Sequence, residues 1–126
     1  MTELEKLDAG LEFCFADPEV KARKGNAVTL CRELNSSAHT DRNKQRELIT
    51  RLFGSAGSNP SILPCFQCDN GKNIHVGKEF LANYNVTILD AAPVRIGDYC
   101  MIGPNTLITT VNHPLSPKDG GQGYPR

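Results

Sequence analysis

The side chains best equipped for chemistry in this chain are its cysteines and histidines, and neither type is spaced as a framework. Five cysteines (Cys14, Cys31, Cys65, Cys68 and Cys100) form an odd set, which suits reduced thiols better than a disulfide scaffold. Cys65-Phe66-Gln67-Cys68 spells C-x-x-C. Zinc at such a pair needs a second pair or two well-spaced histidines, whereas His39, His75 and His113 are scattered singly. No metal is expected. A redox pair of this spacing belongs beside a βαβ pattern, which is absent here, so small buried thiols are the expectation. A thiol or metal protein built on Cys65 and Cys68 is the competing reading. His113 stands before a proline in VNHPL. On residue type alone it is a surface histidine, although an imidazole that titrates near neutrality has the chemistry of a general base.

The elements that must position these groups are legible in a repeat. Ile74–Pro93 and Val94–His113 match position by position as aliphatic-x-aliphatic-Gly followed by small or aliphatic residues at six-residue steps. The steps run Val76, Ala82, Ile88 and then Ile96, Ile102, Ile108, with Gly77, Asn83, Gly97 and Gly103 directly after the first two of each set. A period of six fits neither helix nor half-buried strand. It fits short strands and turns stacked as a parallel β-helix. Ile62, Cys68 and Ile74 continue the step backward, so residues 62–73 are expected to form an irregular first turn.

Upstream, three helical segments are expected. Thr2 with Glu5 makes a capping box and Gly10 a stop, and Asp17-Pro18 opens a second helix. Val20, Ala27, Cys31 and Leu34 form its apolar stripe, with Lys21, Arg23, Lys24 and Arg32 as a solvated basic face. Thr40 is expected to cap a third helix that packs through Leu48, Ile49, Leu52 and Phe53. GSAGSNP, from Gly54 to Pro60, then reads as a loop. The expected organisation is therefore a helical cap over residues 1–56 and a partial, mainly β coil over residues 57–126.

Fourteen basic and fourteen acidic side chains cancel, and no run of like charge reaches five. Nucleic acid and anionic membranes are not expected partners. No apolar stretch approaches the roughly 18 residues of a membrane span, and MTELEKLDAG lacks the order of a signal peptide, so a cytoplasmic setting is expected.

RELITRLFG, CDNGKNIHVG, FLANYNVTILD, VRIGDYCMIGPN and NHPL together resemble the maltose and galactoside O-acetyltransferases of the hexapeptide-repeat superfamily. The resemblance implies a left-handed parallel β-helix, an exception to the usual crossover handedness, beneath an N-terminal helical cap. It also implies acetyl transfer from acetyl-CoA, as co-substrate, to a sugar or other small hydroxyl acceptor. Active sites in the family lie between subunits of a homotrimer. His113 aligns with the family's catalytic histidine. Asn83 aligns with the first asparagine of its ANFN element, as an oxyanion or sugar donor; a turn position suited to left-handed backbone is the other account of it. Asp90 aligns with an acidic position near the acceptor pocket, with a capped turn as the other account, and Asp69 falls where the family places a small polar or acidic group that helps bind the acceptor.

Phe13-Cys14 stands where the family carries an aromatic-Asp pair, Ala91 where galactoside-type members carry a second acid, and Leu81 where an aromatic often lies. These departures imply a different acceptor. Related chains continue into further coils that form the acetyl-CoA groove, and against them this chain reads as C-terminally truncated to about two coils. A non-catalytic assembly subunit lacking the CoA-binding coils is therefore the alternative function.

Overall fold

The computed structural model describes residues 1–9, 16–37 and 40–110. Helix α1 spans Glu3–Asp8 and opens on the expected capping box. Glu5 N–H donates to Thr2 Oγ1 at 3.0 Å and Thr2 N–H donates to Glu5 Oε1 at 3.1 Å, so two orphan donors are satisfied reciprocally. Helix α2, Pro18–Ser36, starts as Asp17 accepts from the amides of Glu19 and Val20 while Pro18 occupies the first turn. Helix α3, Arg42–Leu52, is capped by Asp41, which accepts from Lys44 N–H, one residue later than the expected Thr40. A carboxylate holds a free helix amide more firmly than a hydroxyl does. The Gly10 stop lies outside the described residues.

Among the described residues nine strands follow: β1 Ser55–Ala56, β2 Ser61–Ile62, β3 Gln67–Cys68, β4 Ile74–Val76, β5 Leu81–Ala82, β6 Thr87–Leu89, β7 Val94–Ile96, β8 Met101–Ile102 and β9 Leu107–Thr109. They stack as three parallel sheets, β1-β4-β7, β2-β5-β8 and β3-β6-β9, numbered here sheets 1 to 3. Every pairing joins residues twenty apart: Ala56 to Val76, Ile62 to Ala82, Cys68 to Ile88, and those to Ile96, Ile102 and Ile108. Among the described residues the result is a three-sided coil of three turns, the two expected copies and the first turn that precedes them. The stretch expected to be an irregular first turn pairs in register through β2 and β3 but differs from the later coils at its bend, where the Pro64–Cys65 peptide is cis, and β1 falls inside the segment read as loop.

The edges of the coil need tight bends. Asn59, Glu79 and Tyr99 take positive φ (54°, 58°, 58°) between sheets 1 and 2, and Asn85 and Asn105 (59°, 60°) between sheets 2 and 3. Left-handed backbone is thus demanded at the same place in successive coils, even of Glu and Tyr, which adopt it at a cost.

The cap closes the first coil. Val20, Ala27, Leu30, Cys31 and Leu34 of α2 and Leu48, Ile49 and Leu52 of α3 are buried. Phe53, directly after α3, meets Phe66 and Phe80 at ring-centroid distances of 5.8 and 6.3 Å. Polar groups complete the seal, since the edge of a sheet buried under helices must find hydrogen-bond partners. Asn35 accepts from Phe66 N–H at 2.7 Å and donates to Phe66 O at 3.0 Å. Gln45 donates to Ile62 O at 3.0 Å. In the last described coil, Ile96 and Ile108 are only partly buried, whereas their counterparts Val76 and Ile88 are buried.

Candidate functional site

The edge where sheet 3 turns back into sheet 1 is the most heavily braced part of the coil, and Asp90 is its centre. Asp90 is fully buried. One carboxylate oxygen accepts from Asn70 N–H at 2.9 Å and the other from Asn73 N–H at 3.3 Å. Asn73 answers with its side-chain amide, which donates to the carbonyls of Asp90 and Ala91 at 3.0 Å each. Burial pushes the Asp90 carboxyl above the usual aspartate range, against the pull of the Asn70, Gly71 and Asn73 amides. The brace continues into the last coil, where Ala92 N–H donates to Thr110 Oγ1 at 2.9 Å and that hydroxyl donates to Leu89 O at 2.8 Å.

This placement corrects one expectation. A carboxylate with no exposed surface and both oxygens engaged by backbone amides of the preceding coil has no face to offer a sugar hydroxyl. Asp90 is a turn brace, the other account given for it above.

Asp69 begins the same edge one coil earlier. It is about one quarter exposed, and its Oδ1 lies 3.9 Å from Lys24 Nζ on α2. The basic face of α2, expected to be solvated, thus supplies a contact to the coil. Beside this edge, α1, α2 and the β3–β4 turn enclose a cleft of about 690 Å³ lined by Leu4, Glu19, Arg23, Asn26, Lys72 and Asn73, among others. Its lining combines the apolar Leu4 and Ala22 with charged and amide side chains. These lining residues were invisible in the sequence, because they gather from segments some fifty residues apart.

Asn83 occupies a different edge, between sheets 2 and 3, and is half-buried. Its Oδ1 accepts from Tyr84 N–H at 2.8 Å, while its Nδ2 has no partner among the described residues. The left-handed position in this turn belongs to Asn85, not Asn83. Strand β6 separates Asn83 from Asp90, which places them at different edges of the coil. One chain therefore does not bring Asn83 together with the Asp69 and Asp90 edge. His113 lies outside the described residues, three positions past Thr110, the last residue described. The described histidine His75 is spent in a 2.8 Å hydrogen bond with Ser55 on sheet 1.

The C-x-x-C spacing dissolves in three dimensions. Cys65 is exposed, contrary to the expectation of burial, and Cys68 faces Cys31 of α2 at a sulfur–sulfur distance of 3.7 Å.

Comparison with known proteins agrees with this architecture. Residues 6–57 match the maltose acetyltransferase hexapeptide capping motif. The galactoside O-acetyltransferase of Escherichia coli is 36% identical over 118 residues, covering 91% of this chain and 57% of that protein. A maltose O-acetyltransferase from Clostridium difficile superposes with a TM-score of 0.87 at 34% identity, over 94% of this chain and 63% of that one. A hexapeptide-repeat acetyltransferase from Vibrio cholerae, solved with acetyl coenzyme A, gives a TM-score of 0.84 at 38% identity, with the same coverage. The chain spans about half to two thirds of the length of the relatives it matches. With the capping motif over its helices and three stacked coils beneath them, the chain is built like the maltose and galactoside O-acetyltransferases, hexapeptide-repeat left-handed β-helix proteins to which it is similar over more than nine tenths of its own length.

Proposed function

We propose that this chain supplies the acceptor side of an acetyl-CoA-dependent O-acetyltransferase, with His113 as general base and Asn83 as a donor to the developing oxyanion. The imidazole takes the proton of an acceptor hydroxyl as its oxygen attacks the thioester carbonyl. The tetrahedral centre then collapses, the carbon–sulfur bond breaks, and the proton passes to the departing thiolate, leaving an ester and free coenzyme A. The observation that supports this reading best is Asn83 itself, half-buried at a coil edge with its Oδ1 accepting from Tyr84 N–H and its Nδ2 without a partner among the described residues.

Because Asn83 sits at one edge of the coil and Thr110, the last described residue before His113, at another, the site is proposed to form between neighbouring chains of a homotrimer. Asp69, at the mouth of the edge and partly exposed, and the cleft beside it are proposed to hold the acceptor, a sugar or similar polyol, in the cytoplasm. Release of free thiol from acetyl-CoA in the presence of a panel of sugars tests this. The expected result is acceptor-dependent release that falls by about 10²- to 10⁴-fold in His113→Ala. Equal rates for the two proteins would remove catalysis by His113.

A further inference from the structure

Two thiols from distant parts of the chain meet where the cap rests on the coil. Cys31 lies on the buried face of α2 and Cys68 on β3, and their sulfurs are 3.7 Å apart. They form the floor of a groove of about 550 Å³ between α2 and sheet 3, whose walls include Arg32, Asn35, Ser36 and Gln67. The pair shares one hydrogen bond, which draws the Cys31 thiol below its ordinary range. The same bond, together with burial, pushes Cys68 well above it. Either sulfur can be the donor in that bond. A disulfide needs about 2.05 Å between sulfurs, so the pair must close by less than 2 Å; Cys31 is 6% exposed and Cys68 partly exposed where they line the groove.

We propose that Cys31 and Cys68 form a reversible disulfide that staples the cap helix to the first coil, with a peroxide as the oxidant. The Cys31 thiolate attacks a peroxide oxygen, the O–O bond breaks, and hydroxide leaves as water after taking a proton, which yields a sulfenic acid. Cys68 then attacks that sulfur, the S–O bond breaks, a second water departs, and the S–S bond forms. In sum, two thiols and one hydrogen peroxide give one disulfide and two waters, with two electrons passing from sulfur to oxygen. The bond closes a loop between residues 37 apart in sequence that contains all of α3. Helix α2 also carries Glu19, Arg23 and Asn26 of the cleft wall, so the staple fixes that wall against the coil.

The test treats the full chain with a small excess of hydrogen peroxide, then counts thiols and maps disulfide-linked peptides by mass spectrometry. The expected result is the loss of two of the five thiols, a single Cys31–Cys68 linked peptide, and full reversal by dithiothreitol. A rise in Tm of about 5–10 °C should accompany it. Cys68→Ser and Cys31→Ser should abolish both the linkage and the shift, and Cys65→Ser, which alters an exposed thiol, should change neither. Oxidation that consumes Cys65 or Cys100 while Cys31 and Cys68 stay reduced would overturn the proposal. So would a mapped Cys31–Cys68 bond that leaves Tm unmoved, because the bond would then not fasten the cap.

Discussion

Replacing Asp90 with alanine separates a structural brace from an acceptor-binding acid. In the wild type its two oxygens satisfy the amides of Asn70 and Asn73, residues only 2% and 5% exposed. Alanine leaves both donors buried and unpaired. An orphaned buried donor costs about 1–3 kcal/mol; the 2.9 Å bond belongs in the upper part of that range and the 3.3 Å bond at its foot. Removing a carboxylate that is unfavourably buried returns part of that loss. The net expectation is a loss of about 2–4 kcal/mol, a large share of the roughly 5–15 kcal/mol of a typical domain. It should appear in urea unfolding as a lower midpoint at unchanged m-value, and in heating as a Tm lower by about 6–12 °C. Asp90→Asn keeps one acceptor oxygen but turns an NH₂ toward the second amide, so its loss should be smaller. The pH dependence has a definite sign. With the folded-state pKa of Asp90 raised, its contribution is fullest below the unfolded-state value and is lost as pH rises through the folded one. Wild type should therefore gain stability relative to Asp90→Asn on acidification from neutrality. A loss below about 0.5 kcal/mol in Asp90→Ala, or a fall in acetyl transfer with stability intact, would refute the brace.

Other substitutions follow from the same geometry. At Gly71, with φ +82°, an added Cβ would sit 2.6 Å from Leu52 O and 2.5 Å from its Cδ1. Gly71→Ala should thus cost about 3 kcal/mol or more in urea titration, from left-handed strain and overpacking together. Asn35→Ala strips both backbone partners from Phe66 and should lower stability by about 1–2 kcal/mol. Hydrogen exchange at Phe66 N–H should accelerate with it, because that amide loses its acceptor.

Much of the coil was legible because its apolar residues recur at a fixed step: Val76, Ala82 and Ile88 stack on Ile96, Ile102 and Ile108 in the expected register. The first coil was harder to see. Its inward residues Ala56, Ile62 and Cys68 sit among Pro60, Pro64 and a loop-like composition, and its apolar cover comes from the helices. The helix caps at Thr2 and Asp17 were local patterns and therefore readable. At the site, Asp90 was readable as an acid at a turn, but whether such a group points out or in depends on amides twenty residues away. Asn83 and Asn85 have the same side chain, and only backbone geometry reveals which takes the left-handed turn. The Cys31–Cys68 contact joins segments whose proximity no spacing rule encodes, whereas the C-x-x-C spacing suggested a pair of Cys65, which is exposed, and Cys68, which faces α2.

The most direct test of a site shared between chains is a mixing experiment. Asn83→Ala and His113→Ala proteins, each expected to be deficient by about 10²-fold or more, are unfolded together in equal amounts, refolded, and assayed for acetyl transfer from acetyl-CoA to the best acceptor. If Asn83 of one chain faces His113 of its neighbour, random assembly restores both groups at about a quarter of the sites, and activity returns to about a quarter of the wild-type rate. Activity no higher than the average of the two separate variants would contradict the account.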